Sequence, residues 1–188
     1  AIHCLSRHLS KPNKNCFQAL NHLNRYMAGT PHLGLKYHFG QSTSLKMEAY
    51  SDATFGGDDS VSAKSNTGYV IYFGGGLIDW ACKLQPVIAQ SSAESEHVAA
   101  FTTSRTVFYF RQLLDELNLP QTGPTIIHED NTACISQSKN PVNHKRCKHI
   151  LLKYHYLRDL TESKIVQLEY INTHDQIADL LTKALTPK

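Results

Sequence analysis

Four acidic residues stand where carboxylates could act together: Asp52 in Tyr50-Ser51-Asp52-Ala53, Glu96 near the start of a long helical run, Asp130 in His128-Glu129-Asp130-Asn131, and Asp179 in Ala178-Asp179-Leu180-Leu181. Acids at strand ends and on adjoining helices can converge at one sheet edge. Converging carboxylates repel, so some stay protonated unless cations enter. Hard divalent ions such as magnesium or manganese, which prefer oxygen ligands, resolve that conflict. Two such ions roughly 4 Å apart suit phosphodiester cleavage. Simpler roles stay open for three of the acids. Asp52 could cap a turn before Gly56-Gly57, Asp130 could cap the helix after it, and Asp179, too deep in its helix to cap, could be merely exposed.

Helical geometry separates Glu96 from its neighbour Glu94. At about 100° per residue, Glu96, Ala100, Thr103, Val107, Phe110 and Leu114 fall on one stripe. Glu94 lies about 160° away, which predicts that it faces outward. It also follows Ser91 by three residues, the spacing of a capping box, so a structural role is expected for it. Glu96 is the one acid on a core-facing stripe, where a carboxylate needs a chemical reason to be.

The elements that must position these residues are legible from pattern. Residues 1–40 hold one helix over about 12–28, with Pro12 near its start and Gly29-Thr30-Pro31 ending it. A polar stretch, Gly40-Gln41-Ser42-Thr43-Ser44, separates residues 1–44 from a second domain over 45–188. There the pattern predicts strands at Leu45–Ser51, Thr67–Phe73 and, past the Gly74-Gly75-Gly76 turn, Leu77–Cys82, with Pro86–Gln90 as a candidate further strand. A helix capped by Ser91 or Ser92 runs to about Leu117. Thr125–Asp130 reads as a strand followed by a short helix, His144–Thr161 as a helix, Lys164–Ile171 as a strand and Asp175–Ala184 as a final helix. The order β-β-β-α-β-α-α-β-α implies an α/β fold with helices packed on a mixed sheet.

Composition bounds the class. With 41% apolar and 19% charged residues, the chain is long enough to bury a real core. No run approaches the eighteen or so apolar residues of a membrane helix, and no signal peptide opens it. It starts at Ala1 without an initiator Met, so it reads as a piece of something longer. Five scattered cysteines argue for a reducing, intracellular compartment rather than a disulfide framework. The net charge is only +3, yet Lys139, Lys145, Arg146, Lys148, Lys153 and Arg158 form a basic run with no acid among them. Such a run suits a polyanion, or is a solvated helix face. Zinc ligation by His144, Cys147 and His149 lacks a second pair at ligand spacing.

Taken in order, several motifs resemble the ribonuclease H domain of copia-type retrotransposons: Tyr50-Ser51-Asp52-Ala53, Thr67-Gly68-Tyr69-Val70, Ser91-Ser92-Ala93-Glu94-Ser95-Glu96, Glu129-Asp130-Asn131, Lys148-His149-Ile150 and Ala178-Asp179-Leu180-Leu181-Thr182-Lys183. Leu5-Ser6-Arg7, Arg25-Tyr26, Gly29-Thr30-Pro31 and Gly34-Leu35 resemble the connection segment between reverse transcriptase and ribonuclease H. The resemblance implies a ribonuclease H-like fold: a mixed five-stranded sheet flanked by helices, with an N-terminal helical connection segment. It also implies hydrolysis of the RNA strand of RNA–DNA hybrids. Two Mg2+ ions (Mn2+ as substitute) would be held by Asp52, Glu96, Asp130 and Asp179. His174, in the loop before the last helix, is a further catalytic candidate by analogy with cellular ribonucleases H. Asn131 and Ser95 are candidates for the ribose, and Lys145, Arg146 and Lys148 for phosphates. The expected partners are the hybrid and the reverse transcriptase domain of the same polyprotein, without a membrane. The expected location is a cytoplasmic virus-like particle or the nucleus. The competing reading is a catalytically idle nucleic-acid-binding or scaffolding module derived from a retroelement.

Overall fold

The computed structural model describes residues 1–37, 45–56, 63–139 and 148–183, with the side chains of 148–150 excepted. The expected turn at 40–44, Lys145 and Arg146, and the side chain of Lys148 lie outside the described residues. Two compact units form, Ala1–Tyr37 and His38–Lys188.

The first unit holds α1 (Ile2–Ser6) and α2 (Lys14–Gly29). The side chain of Asn13 accepts a hydrogen bond from the Cys16 amide, so α2 begins two residues later than expected. The short α1 was not anticipated; five residues give too little periodicity to read. Neither helix buries a single residue, and the apolar stripe of α2 stays open at Phe17, Leu20 and Met27.

The second unit is built on β1 (Met47–Thr54), β2 (Asn66–Phe73), β3 (Gly76–Leu84), β4 (Thr125–Glu129) and β5 (Val166–Tyr170), in the order β3-β2-β1-β4-β5. The hairpin side, β1 with β2 and β2 with β3, is antiparallel, whereas β1–β4 and β4–β5 are parallel. Its helices are α3 (Ser92–Glu116), α4 (Thr132–Lys139), α5 (Lys148–Glu162) and α6 (Asp179–Thr182). The core joins Met47, Ala49 and Ile127 of the sheet to Ala100, Val107 and Leu114 of α3 and Leu157 and Leu160 of α5. The stripe read from the sequence is thus the face α3 turns to the sheet. Among the described residues no helix is long and apolar enough to cross a membrane.

Three expectations need correction. Pro86–Gln90 is not a strand. Gln85 turns inward and donates from Nε2 to the Ser95 carbonyl and the Thr67 hydroxyl, which ends β3 and leads the chain into the α3 cap. Glu94 does not face outward; only 1% of it is exposed. It caps as expected, with its amide donating to the Ser91 hydroxyl and its carboxylate accepting from the Gln90 amide. Because α3 packs on α5 as well as on the sheet, the side turned from the sheet is not turned to water. The last helix is shorter than expected. A 3-10 turn at Thr173–Asp175 comes first, and α6 spans only Asp179–Thr182. The interruption follows from Gln176. Its buried side chain donates to the carbonyls of Ser51 and His128 and accepts from the Ala178 amide, in competition with helical bonding.

Candidate metal centre at the ends of two parallel strands

Parallel pairing of β1 with β4 places Tyr50 opposite His128, and their rings stack with centroids 4.5 Å apart. Asp52 and Asp130 each follow two residues later, so the pleat puts both on that same face at the carboxyl ends of adjacent strands. Glu129 alternates to the other face, with Ile127, toward α3. From α3, the Glu96 carboxylate reaches the strand end and accepts a hydrogen bond from the Ala53 amide. α6 delivers Asp179.

Oxygens of Asp52, Asp130 and Asp179 lie within 4.8 Å of one another, as do oxygens of Glu96, Glu129 and Asp130. Asp130 belongs to both groups. All four acids expected from the sequence therefore converge, and Asp130 is not a helix cap: Asn131 performs that role for α4, accepting from the Cys134 amide. Asp179 is not deep in its helix but its first residue.

The two groups differ in what surrounds them. Around Asp52, Thr182 donates its hydroxyl to the carboxylate, and the Lys183 ammonium lies 3.4 Å from Asp52 Oδ1 and 2.6 Å from Asp179 Oδ1. Burial pushes the Asp52 carboxyl above its ordinary range, although Thr182 and Lys183 pull it back. Burial also disfavours the charge on Lys183, but Asp179 and Asp52 outweigh it and raise its pKa. Among the described residues no cation pairs with Glu96, and Lys183 acts on it only as the weakest of the influences on its pKa. Glu96 Oε2 and Glu129 Oε2 are buried without a hydrogen-bond partner. Burial, then the charges of Asp52 and Asp130, push Glu96 up to about 9. Burial, then Glu96, raises Glu129 well above the carboxylate range. Buried oxygens without a hydrogen-bond partner, on acids whose charge burial and mutual repulsion disfavour, suit a divalent cation. The all-oxygen donor set fits magnesium or manganese.

Close approach holds α6 in place. A Cβ on Gly68 of β2 would come within 2.5 Å of Thr182 Cγ2 and 3.0 Å of Leu181 Cβ. Gly68 pairs with Asp52 in the sheet, so the glycine lets α6 sit directly over the acid it serves. Thr54 adds a bond from its hydroxyl to the Thr182 carbonyl.

Other expected residues fare differently. Ser95 is wholly buried and its hydroxyl donates to the Ser92 carbonyl, which turns it away from any ribose. Asn131 stays partly exposed beside the acids, but its side-chain oxygen is committed to the α4 cap. His174 is exposed on the 3-10 turn, and its amide donates to Asn172. It belongs to neither acid group; Thr173 beside it donates its hydroxyl to Asp130 Oδ2 at 2.8 Å. Sequence reasoning missed Glu129, Gln176, Thr182 and Lys183 as site residues. Glu129 could have been found from strand alternation, since it occupies a core-facing position after Ile127. Nothing in the spacing marks Gln176.

No family model matches the chain. It is 38% identical over 186 residues to the retrovirus-related Pol polyprotein from transposon RE1 of Arabidopsis thaliana, with 99% of this chain and 12% of that protein covered. It is 37% identical over 186 residues to the corresponding polyprotein from transposon RE2 of the same plant, covering 99% of this chain and 13% of that protein. The chain thus spans about an eighth of the length of these relatives. Among solved structures, an N-terminal RNase H domain from Mycobacterium tuberculosis superposes with a TM-score of 0.54 at 12% identity, covering 74% of this chain and 91% of that one. LC11-RNase H1 in complex with an RNA/DNA hybrid gives 0.53 at 14% identity, covering 72% and 93%. Sequence identity and a common architecture agree: over nearly its whole length the chain is homologous to a segment of the retrovirus-related Pol polyproteins of copia-type transposons, and that segment has the ribonuclease H fold.

Proposed function

We propose that the chain is a metal-dependent endonuclease that hydrolyses the RNA strand of RNA–DNA hybrids during reverse transcription. The observation that carries this reading is the meeting of five carboxylates in two groups that share Asp130. Asp52, Asp130 and Asp179 would hold one divalent ion, and Glu96 and Asp130 another, with Glu129 beside it. When bound, a pair of such ions supplies an activated water and stabilises the leaving oxygen.

The chain's own residues set the rest. Asp130, between the groups, fixes their spacing, and Thr173 orients its carboxylate through Oδ2. Gly68 and Gln176 hold the α6 segment against β1 so that Asp179 faces Asp52. Lys83 of β3, Arg105 of α3 and Lys153 of α5 line one groove of about 660 Å³ with Thr67 and Gln85. These cations suit a phosphate backbone held without base reading. Of the basic run, Arg158 is 3.6 Å from Glu162 and Lys153 is half buried, its pKa lowered by that burial, while Lys145, Arg146 and Lys148 stay candidates for phosphate contact. His174, exposed next to Thr173, remains the candidate for proton transfer, and the reverse transcriptase of the same polyprotein the candidate for presenting the hybrid.

Cleavage of a labelled RNA–DNA hybrid with Mg2+ or Mn2+ tests this. Cutting confined to the RNA strand, dependent on the ion and lost in Asp52→Asn, is expected. Hybrid binding without cutting under either ion would assign the chain to the idle binding module instead.

A further inference from the structure

Lys183 is the one basic side chain, among the described residues, that bridges two of the clustered acids. Its ammonium donates to Asp179 Oδ1 at 2.6 Å and to Asp52 Oδ1 at 3.4 Å. The placement is built in. Lys183 lies four residues after Asp179, and its amide closes the turn on the Asp179 carbonyl at 2.9 Å. Thr182, the residue before it, is tied to β1 at both ends, through its hydroxyl to Asp52 and its carbonyl to Thr54. The head nonetheless borders water. Lys183 side-chain exposure is 39%, against 1% for Asp52 and 9% for Asp179, so the ammonium has a route to solvent that the acids lack. An ammonium on a four-carbon stem is a compact positive charge that re-aims easily.

A cation entering between Asp52, Asp130 and Asp179 needs oxygens that Lys183 already engages. We propose that Lys183 is a built-in counter-cation. It is a positioning residue that keeps Asp52 and Asp179 together in the metal-free chain and is displaced when a divalent ion takes its place between them. The inference rests on the metal-dependent reading above. Its consequence is unequal filling. The Glu96–Glu129 side offers two oxygens, Glu96 Oε2 and Glu129 Oε2, that no hydrogen bond engages, whereas the Asp52–Asp179 side gives up an ion pair for each ion it gains.

Mn2+ titrated calorimetrically into the full chain tests this. Lys183→Met removes the competing charge and keeps the apolar stem, so the weaker of two Mn2+ sites is expected to tighten roughly tenfold. Lys183→Gln should tighten it as well, and Lys183→Arg, which keeps the charge, should leave it near wild type. A second readout separates competition from simple packing. In EDTA, Lys183→Met should melt below wild type because the two acids lose their partner, and saturating Mn2+ should close that gap. Mn2+ affinity in Lys183→Met and Lys183→Gln equal to or weaker than wild type overturns the proposal while leaving the metal centre intact. A wild-type chain that takes up no Mn2+ defeats the metal reading itself, and this proposal with it.

Discussion

The two sides of Asp130 solve one electrostatic problem in opposite ways. On the α6 side, Asp52 and Asp179 share an ammonium and a hydroxyl from the chain itself. On the α3 side, Glu96 and Glu129 have neither among the described residues, and burial drives both toward the neutral acid. A carboxylate cluster can thus be neutralised by a tethered cation or by protons, and under the proposed metal-dependent function a divalent ion would replace each. Asp130 is where the difference can be broken outright, because it belongs to both groups. Losing a ligand common to two ions removes several kcal/mol of transition-state stabilisation. Asp130→Asn should therefore reduce cleavage of the hybrid by about 10³-fold or more and abolish both Mn2+ sites in a calorimetric titration. Loss of only one site would show that the groups do not share it.

Next in size is the contrast between two glutamates on one helix. Glu96→Gln removes a carboxylate that would hold an ion on the α3 side and should cost hybrid cleavage nearly as much as Asp130→Asn. Glu94→Gln alters a cap, worth about 1 kcal/mol, and should lower the melting temperature while leaving turnover per folded molecule close to wild type. Equal losses of turnover in the two variants would refute the division of roles. Glu129→Gln should fall between them. Its carboxylate abuts Glu96 and Asp130, so its loss should lower Mn2+ affinity about 10- to 100-fold, with little loss of metal-free stability, because burial disfavours the charge at this position and the amide oxygen can still accept from the Asn131 amide.

How far the sequence foresaw this arrangement depends on the physics behind each residue. Glu96 was legible because a 25-residue helix gives its periodicity room to show, and Asp130 because a strand end is marked by the turn that follows; Asp52 was found too, though β1 runs two residues past it to Thr54. Element order followed from the same patterns. Glu94 was misplaced because periodicity gives direction relative to one face and says nothing of α5 covering another. The final helix was over-extended because Gln176 spends its side chain on backbone groups of β1 and β4, a contact 125 residues away from Ser51 that no local pattern carries. Lys183 and Thr182 stood in the sequence as part of a motif, but their bonding to Asp52 is a property of the fold.

Gly68→Ala addresses the α6 side by geometry rather than charge. The added methyl would meet Thr182 and Leu181, and overpacking of this kind costs about 1–3 kcal/mol. Since those residues carry Asp179 and Lys183, the variant should lose affinity at the weaker Mn2+ site and keep it at the stronger. A uniform loss at both sites would mean that the sheet itself had been disturbed.

The smallest effect is a slope. In the metal-free chain Glu96 titrates near 9, against an ordinary value of 4.5, through burial first and then the charges of Asp52 and Asp130. An acid with a raised native pKa binds a proton in the folded chain that the unfolded chain has released, so its contribution is fully present below about 4.5 and is lost as pH rises through about 9. Glu129 and Asp52 shift in the same direction and add to the trend. The melting temperature in EDTA should therefore decline between pH 5 and 9, and Glu96→Gln should flatten that decline most. Saturating Mn2+ should flatten or reverse it, because the ion binds the deprotonated acids and competes with the proton rather than joining it. Lys183→Met sharpens the comparison. Without the ammonium, Asp52 loses the partner that pulls its pKa down, and the α6 side should begin to titrate like the α3 side, steepening the slope in EDTA. A slope in EDTA that is flat in wild type, and unmoved by either substitution, would mean that the two sides of Asp130 are not neutralised in the different ways their surroundings dictate.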